Sequence, residues 1–585
     1  MTLRDRLARL DPSAWLHRLE LDPPHRVLAR AVKVARDARM LGAIGDPLAM
    51  ASIALRQGLG IRSLHALHAA ASPGRPAVID RHRQLDYAQL HAEIDAVARA
   101  LHHEGARRGE PVGLMLENRS EYVALWMALG RLGIASAHVS PSSTAAELAP
   151  LLQRAGIARL FVSEATYPVA TQVLREHPDL RLQLVHVGHQ PPPGARSYHA
   201  LVRAHRDHAG PRPPAGEEAD SVVFTSGTTG TPKGAVRDLS SVGVMELLRI
   251  LERLPLRVGD RHLVVAPLYH SGAQAFALIN TSLAATLVLL DRFEAEAVLD
   301  TLSRDRIASV FMVPTMIRRL LDLPASLHAR RPTPSLRAIV SGAAPFPDGL
   351  RRRAIERFGP ETIFDFYGAT ELGWVTLADG HQMLAKPGTL GPPLAGQELR
   401  VVDEHGHAVT PETVGTIYTR SAQHMRGYLR GSLADGAATH ELAREGWATV
   451  DDQGYLDADG HLFLTGRTRD MVITGGVNVY PVEIEHVLSR HPAIRDVAVV
   501  GLPDPEWGER LTAVVVPGEG FEVEAVDAWA RERLAKAKRP RQWQIVDALP
   551  RNATGKILKR ALRERLGGSE LAPSDRRRSR PAGDS

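Results

Sequence analysis

Short apolar runs rich in β-branched residues recur through the middle of this 585-residue chain. Examples are Pro111-Val-Gly-Leu-Met-Leu, Arg159-Leu-Phe-Val-Ser, His262-Leu-Val-Val-Ala and Ala338-Ile-Val-Ser. They alternate with segments of helical pattern, which predicts α/β layers. Beyond residue 468 the pattern becomes that of a smaller α+β unit, with Asp496-Val-Ala-Val-Val-Gly and Leu511-Thr-Ala-Val-Val-Val as its strands. Ahead of the α/β region, Val27, Ala31, Val34, Ala38 and Leu41 repeat at helical spacing, with Arg26, Arg30 and Lys33 beside the stripe. The expected organisation is a helical extension over 1–70, a large multi-layer α/β domain over 71–468 and a smaller α+β domain over 469–567. Residues 568–585 form a basic tail, with Arg576, Arg577, Arg578 and Arg580 among Ser, Pro and Gly, a composition that does not support a packed core.

Composition narrows the chemistry. There is no cysteine, so disulfides, thiolate catalysis, Cys-based zinc sites and acyl-Cys intermediates are excluded. Any thioester chemistry must use a thiol from outside the chain. The formal charge of +6 suits attraction to anionic small molecules or lipid, and equally a set of solvated basic faces. No RNA-recognition signature and no basic helix with interleaved aromatics is present, so nucleic acid is not an expected partner. The amino terminus lacks the apolar core of a signal peptide. No stretch reaches the ~18 apolar residues of a membrane span. Residues 1–40 hold nine Arg or Lys against five Asp or Glu, a balance that leaves a membrane-surface helix open. The alanine-rich, weakly apolar stripe favours packing against the large domain instead. The expected location is cytoplasmic, with a peripheral position on the inner face of a membrane as the variant reading.

The most informative stretch is 222–236, Val-Val-Phe-Thr-Ser-Gly-Thr-Thr-Gly-Thr-Pro-Lys-Gly-Ala-Val. An apolar strand feeds a hydroxyl- and glycine-rich turn closed by Lys233. Backbone N–H groups, hydroxyls and one ammonium in such a loop can wrap phosphate oxygens, and Gly227, Gly230 and Gly234 permit tight bending. A P-loop needs G-x-x-x-x-G-K-[ST]. Here Lys233 precedes its glycine and no Ser or Thr follows, so that reading fails. Apolar flanks and Pro232 argue against a flexible linker. The stretch resembles the signature of the adenylate-forming superfamily, which includes acyl-CoA synthetases, peptide-synthetase adenylation domains and luciferases. The resemblance covers roughly residues 75–565, and it implies a large AMP-binding domain with a mobile small domain behind it.

Three further motifs follow in the superfamily's order. Residues 365–371, Asp-Phe-Tyr-Gly-Ala-Thr-Glu, are similar to its Tyr-Gly-x-Thr-Glu element. The resemblance gives Thr225, Ser226, Gly227, Thr228, Thr229 and Gly230 to the phosphates. It stacks Tyr367, beside Gly368, on adenine and sets Asp365 near the exocyclic amine. Thr370 then touches the α-phosphate and Glu371 holds Mg²⁺, a hard cation that takes one or two carboxylates. Alignment on Gly454 and Tyr455 makes Asp452 the ribose carboxylate, with Asp451 in the place of the usual glycine, and Arg467 the second ribose contact. Arg469 falls at the hinge, where Asp or Lys is usual. Gly475 and Gly476, otherwise a hairpin turn, would flank the pantetheine passage. Pro550-Arg-Asn-Ala-Thr-Gly-Lys556 matches the carboxy-terminal catalytic motif, with Lys556 at its lysine and Asn552 in place of threonine.

The implied reaction uses ATP and Mg²⁺ to turn a carboxylic acid into an acyl-adenylate, then passes the acyl group to CoA. Lys556, Lys233 and Mg²⁺ on Glu371 would offset the repulsion between carboxylate and triphosphate. By resemblance the small domain rotates between the steps. His270 in Pro267-Leu-Tyr-His would sit near the acyl carboxyl group, with Gly272, Gly342 and Ala343 lining the acyl pocket beside Val313-Pro-Thr315. The small side chains of 271–277 suggest room for an alkyl chain, hence a medium- or long-chain fatty acid. Alternatives are an aryl-CoA ligase, an acyl-AMP ligase serving a separate carrier protein, a luciferase-like or β-lactone-forming enzyme, and an inactive scaffold. The set Lys233, Glu371, Asp452, Arg467 and Lys556 argues against the scaffold. A homo-oligomer stays open.

Overall fold

The computed structural model describes residues 33–34, 36–38, 61–206, 219–225, 233–238, 244–425, 427–428, 445–467, 470–474, 477–552 and 555–566. Two eight-stranded sheets carry the large part of the chain. The first runs from Gly373–Asp379 through Ile363–Ala369, Ala338–Ser341, Ser309–Phe311, Arg261–Val264, Thr286–Leu289 and Pro76–Ile79 to Gln84–Asp86. Only its two edge strands are antiparallel to their neighbours. The second runs from Gly427–Tyr428 through Lys233–Asp238, Asp220–Thr225, Ser136–His138, Val112–Met115, Arg159–Val162 and Gln183–His186 to Arg196–Ser197. Parallel strands are covered on both faces, which is why they read as unbroken apolar runs. Val112–Met115, Thr286–Leu289 and Ala338–Ser341 are buried at every position.

Helices Ser120–Leu132 and Ser271–Ser282 share one apolar cluster with strands of both sheets. Nearly every residue of 120–132 is buried, the mark of a helix covered all round. Local signals set the more exposed helices. Asp86 and Gln89 form a capping box ahead of Tyr87–His103, and Thr144 and Glu147 do the same for Ala145–Ala155, which stops at Gly156 with φ 64°.

Two smaller sheets follow. Glu398–Val402, Gly415–Arg420, Asp452–Leu456 and Leu462–Arg467 form a four-stranded antiparallel sheet. Beyond it, Val477–Val479, Val472–Thr474, Gly508–Pro517 and Ile494–Asp504 form the last sheet, with Gln542–Ile545 parallel beside 508–517. Helices Pro481–Leu488 and Val523–Arg533 close a separate core on it, built from Ile484, Val499, Ala513, Val515 and Val526. The architecture is thus a multi-layer α/β body with a small α+β unit after it.

In the amino-terminal stripe, Val34 and Ala38 are buried in the main core, and the Ala38 carbonyl accepts from the Val258 N–H at 2.9 Å. These two positions pack on the large body. Val27, Ala31 and Leu41, and the tail 568–585, lie outside the described residues. Among the described residues no helix is long and apolar enough to cross a membrane.

Candidate active site

The Tyr-Gly-x-Thr-Glu element is a β-hairpin. Strand 363–369 ends in the turn Thr370-Glu371-Leu372 and returns as 373–379, with a register shift between Tyr367 and Gly368. Glycine at 368 is dictated by backbone approach, since a Cβ there would lie 2.2 Å from the Gly373 carbonyl oxygen. The hairpin therefore holds Thr370 and Glu371 at its tip. The Thr370 hydroxyl lies 3.0 Å from the Ser271 hydroxyl, at the first turn of helix 271–282. Glu371 brings one carboxylate to the tip. Among the described residues no cluster of three or more metal-ligating side chains forms. A single carboxylate fits Mg²⁺ completed by phosphate oxygens and water better than it fits a cation caged by protein ligands.

Tyr367 and Asp452 meet, with Arg467 in register beside Asp452. The Tyr367 hydroxyl donates to Asp452 Oδ2 at 2.8 Å, and Asp452 is paired across the antiparallel sheet with Arg467. Asp451, just before, has φ 61°. A left-handed residue at this point explains why glycine suits it, and Asp is among the few others that tolerate the conformation. Asp365 is placed differently from Tyr367. Its carboxylate is buried and receives Arg351 Nη2 at 2.5 Å, while burial pushes its pKa up to about 6 against the pull of Arg351. Beside it in register stands Ser341, whose buried hydroxyl has no hydrogen-bond partner among the described residues; nor has Arg351 Nε. Unmet polar atoms of this kind suit a ligand that brings its own donors and acceptors.

The phosphate-binding signature spans a hairpin. Thr225 and Lys233 face each other as register partners at the ends of strands 220–225 and 233–238. Ser226, Gly227, Thr228, Thr229 and Gly230 lie outside the described residues, as do Arg469, Gly475 and Gly476.

Buried Asn118 organises the segment that the sequence assigns to the acyl side. Its side-chain amide donates to the Ala266 and Leu290 carbonyls at 3.2 and 3.0 Å and accepts from the Leu268 N–H at 2.8 Å. The segment leading to His270 is thereby fixed. His270 occupies the N-cap position of helix 271–282 without a side-chain capping bond. Burial pushes its imidazole down to about 4, and Nε2 has no hydrogen-bond partner among the described residues. A neutral imidazole at a helix N-terminus, where unpaired N–H groups collect, suits a carboxylate. Ala343 has φ 65° and is exposed in the loop after strand 338–341, the kind of local strain found at binding sites.

The space next to Gly272 and Gly342 is not open. A Cβ on Gly272 would meet the Phe311 ring at 3.0 Å, and one on Gly342 would meet the Phe366 ring at 2.4 Å. Phe276, Phe311, Phe366 and Trp374 form one buried aromatic cluster, with Phe276–Phe311 centroids 5.0 Å apart, Phe276–Trp374 4.7 Å and Phe366–Trp374 4.8 Å. Gly272 therefore makes room for a ring of the protein itself, and the small run 271–277 does not by itself outline an alkyl channel.

Lys556 sits on a tight turn in the small unit. The Asn552 N–H donates to the Lys556 carbonyl, and Asn552 Oδ1 accepts from the Lys556 N–H, both at 2.9 Å. Asparagine in place of threonine thus closes the turn. Gly555, with φ 74°, lies against Val313 and Thr315 of the large body, and the Thr315 hydroxyl donates to its carbonyl at 3.2 Å. Sequence reasoning missed Arg351, Ser271 and the aromatic cluster. An arginine, a serine and scattered aromatics carry no signal until topology assembles them.

Comparison with known proteins agrees with this geometry. Residues 66–429 match the family model of AMP-binding enzymes, and residues 483–556 match that of the AMP-binding enzyme C-terminal domain. The fatty acid–[acyl-carrier-protein] ligase ScoC of Streptomyces coeruleorubidus is 31% identical, the match covering 86% of this chain and 96% of that protein. An indoleacetate–CoA ligase of Aromatoleum aromaticum is 32% identical over 85% of this chain and 96% of its own. The crystal structure of the anthranilate CoA ligase AuaEII in complex with anthranoyl-AMP is 27% identical, covers 86% of this chain and 97% of its own, and superposes with a TM-score of 0.76. The chain belongs to the AMP-binding enzyme family and is an acid–thiol ligase of the adenylate-forming superfamily.

Proposed function

We propose that the protein activates a compact aromatic carboxylic acid as its acyl-adenylate and transfers the acyl group to CoA. The observation that carries the choice of acid is the buried cluster Phe276, Phe311, Phe366 and Trp374 beneath Gly272 and Gly342. These rings fill the space beside Gly272 and Gly342, which favours a short acid able to pack against an aromatic edge over a long flexible chain. The relatives that act on indoleacetate and anthranilate support this reading.

In the first step a carboxylate oxygen attacks the α-phosphorus of ATP and pyrophosphate leaves. His270 and the first turn of helix 271–282 orient the carboxylate. Thr370 contacts the α-phosphate, Lys233 and Lys556 offset the gathering negative charge, and Tyr367 with Asp452 and Arg467 holds the nucleoside. Mg²⁺ on Glu371 would neutralise phosphate charge when bound. In the second step the thiol of CoA attacks the acyl carbon and AMP departs. Lys556 has no role in that step, and by this reading the small domain turns to present residues 475–476 to the pantetheine arm. Positioning and electrostatic stabilisation supply the rate in both steps.

A second reading is a fatty acid passed to a separate carrier protein, favoured by the likeness to ScoC. One assay separates the two. AMP and pyrophosphate release are both measured with ATP and Mg²⁺, with and without CoA, across benzoates, arylacetates, cinnamates and saturated fatty acids of graded length. CoA-dependent release confined to the aromatic acids supports the proposal. Release peaking with a long alkyl acid refutes the choice of acid. Pyrophosphate formed regardless of CoA identifies a different acceptor.

A further inference from the structure

One carboxylate of the small unit joins the large body to the turn that carries Lys556. Asp496 Oδ1 lies 3.0 Å from Arg318 Nη1, on helix Pro314–Leu321 of the large body. Its other oxygen, Oδ2, lies 2.6 Å from Arg551 Nη2. Arg551 in turn donates through Nη1 to the Gly555 carbonyl at 2.5 Å, the carbonyl that also accepts from Thr315. Thr315 and Arg318 stand three residues apart and so share one face of their helix. Two points on one large-body helix thereby converge on the residue just before Lys556. One contact is direct, through Thr315. The other runs from Arg318 through Asp496 and Arg551. Arg318 Nη1 also donates to the Arg495 carbonyl at 2.6 Å, which fixes the guanidinium against the small unit. The three charged side chains are between 14% and 20% exposed, so the pairs are shielded enough to hold a geometry.

We propose that Asp496 is a positioning residue for Lys556 and that Arg318 is its latch on the large domain. The latch exists only in the pose described, in which Lys556 is seated for acyl-adenylate formation, and rotation of the small domain breaks it. This rests on the role of Lys556 given above. It assigns to Arg318, Asp496 and Arg551 a selective effect on the first half-reaction. A lysine ammonium displaced by an ångström or so loses on the order of tenfold to a hundredfold in rate.

The test measures two half-reactions in Arg318→Gln, Arg318→Lys, Asp496→Asn and Lys556→Ala. Pyrophosphate release reports adenylation, and acyl-CoA formation from supplied acyl-AMP reports the second step. The expected result is a tenfold or greater fall in the adenylation kcat for Arg318→Gln and Asp496→Asn, with the KM for ATP within about twofold of the parent. Thioester formation from acyl-AMP should be undiminished, and Arg318→Lys should recover most of the loss. A second readout uses the absence of native cysteine. Labels at Arg330→Cys and Glu519→Cys, both exposed positions, report the interdomain distance distribution, which should broaden in Arg318→Gln. If Lys556→Ala abolishes adenylation while Arg318→Gln and Asp496→Asn match the parent, the latch is refuted. Equal loss in both half-reactions also refutes it. Should Lys556→Ala itself leave adenylation intact, the underlying reading of Lys556 fails instead.

Discussion

Phe311→Ala is the sharpest probe of the acid pocket. Phe311 ends strand 309–311, is 4% exposed and fills the space that a side chain at Gly272 would need. Its ring stacks on Phe276 at 5.0 Å and leans on Phe366 at 5.9 Å. Truncation costs about 3–5 kcal/mol of stability, as for other buried phenylalanines, so Phe311→Leu should be made beside it as the milder change. The vacated space lies beside Gly272 and, if the acid binds there as proposed, can accept extra methylenes of a substrate. Each buried methylene contributes about 0.8 kcal/mol, or roughly fourfold in kcat/KM. Three methylenes amount to about 2.4 kcal/mol, a gain of roughly 60-fold. The assay is kcat/KM for ω-phenylalkanoic and saturated acids of increasing length in parent and variant. The expected outcome is a shift of the optimum towards longer acids, with loss for the compact aromatic ones. A folded variant with an unchanged length profile would show that this cluster does not floor the pocket.

Removing the Tyr367 hydroxyl (Tyr367→Phe) deletes the 2.8 Å donor to Asp452. A hydrogen bond to a carboxylate contributes about 1.5–3 kcal/mol, so the KM for ATP should rise by about tenfold or more with the acid KM little changed. At Asp451, with φ 61°, glycine should leave stability within about 1 kcal/mol of the parent, whereas valine should lose about 1–2 kcal/mol; urea unfolding decides between these. Acid should destabilise the fold from below pH 6.5. Burial holds His68, His270 and His486 down at about 4, and His138 and His262 at about 3. Protons that the unfolded chain accepts near pH 6.5 are refused by the native state, so stability present above pH 6.5 is lost as pH falls towards 4, by up to about 1.4 kcal/mol per unit for each group. Asp365, raised to about 6, works in the opposite direction between pH 4 and 6 but is one group against five. Thermal midpoints from pH 7.5 to 5 should decline, and a flat profile contradicts this.

Much of the candidate site was legible because its motifs are runs of contiguous residues. Strands 220–225 and 233–238 pair as neighbours, 365–371 lies in one hairpin, and Asn552 bonds Lys556 across a turn, so residues close in the chain are close in space. The strands read correctly for a similar reason, since doubly covered parallel strands are apolar throughout. What failed was inference about space. The small residues at 271–277 suggested an open channel, yet the space beside Gly272 belongs to Phe311 and that beside Gly342 to Phe366, rings from separate strands. Arg351, whose guanidinium occupies Asp365, lies fourteen residues earlier on a helix whose pattern gives no hint of an inward-facing charge. Asp451 was visible as a departure from glycine, but its positive φ became visible only with the backbone.

The most direct test of the account is the pair of half-reactions in Lys556→Ala. Lys556 follows Gly555, which docks against Val313 and Thr315, and in the proposed mechanism its charge serves acyl-adenylate formation alone. Pyrophosphate release with ATP and acid should fall by two orders of magnitude or more, while conversion of supplied acyl-AMP and CoA to thioester proceeds at the parent's rate. A variant that still forms the adenylate at the parent's rate, or that loses both steps equally, would contradict it.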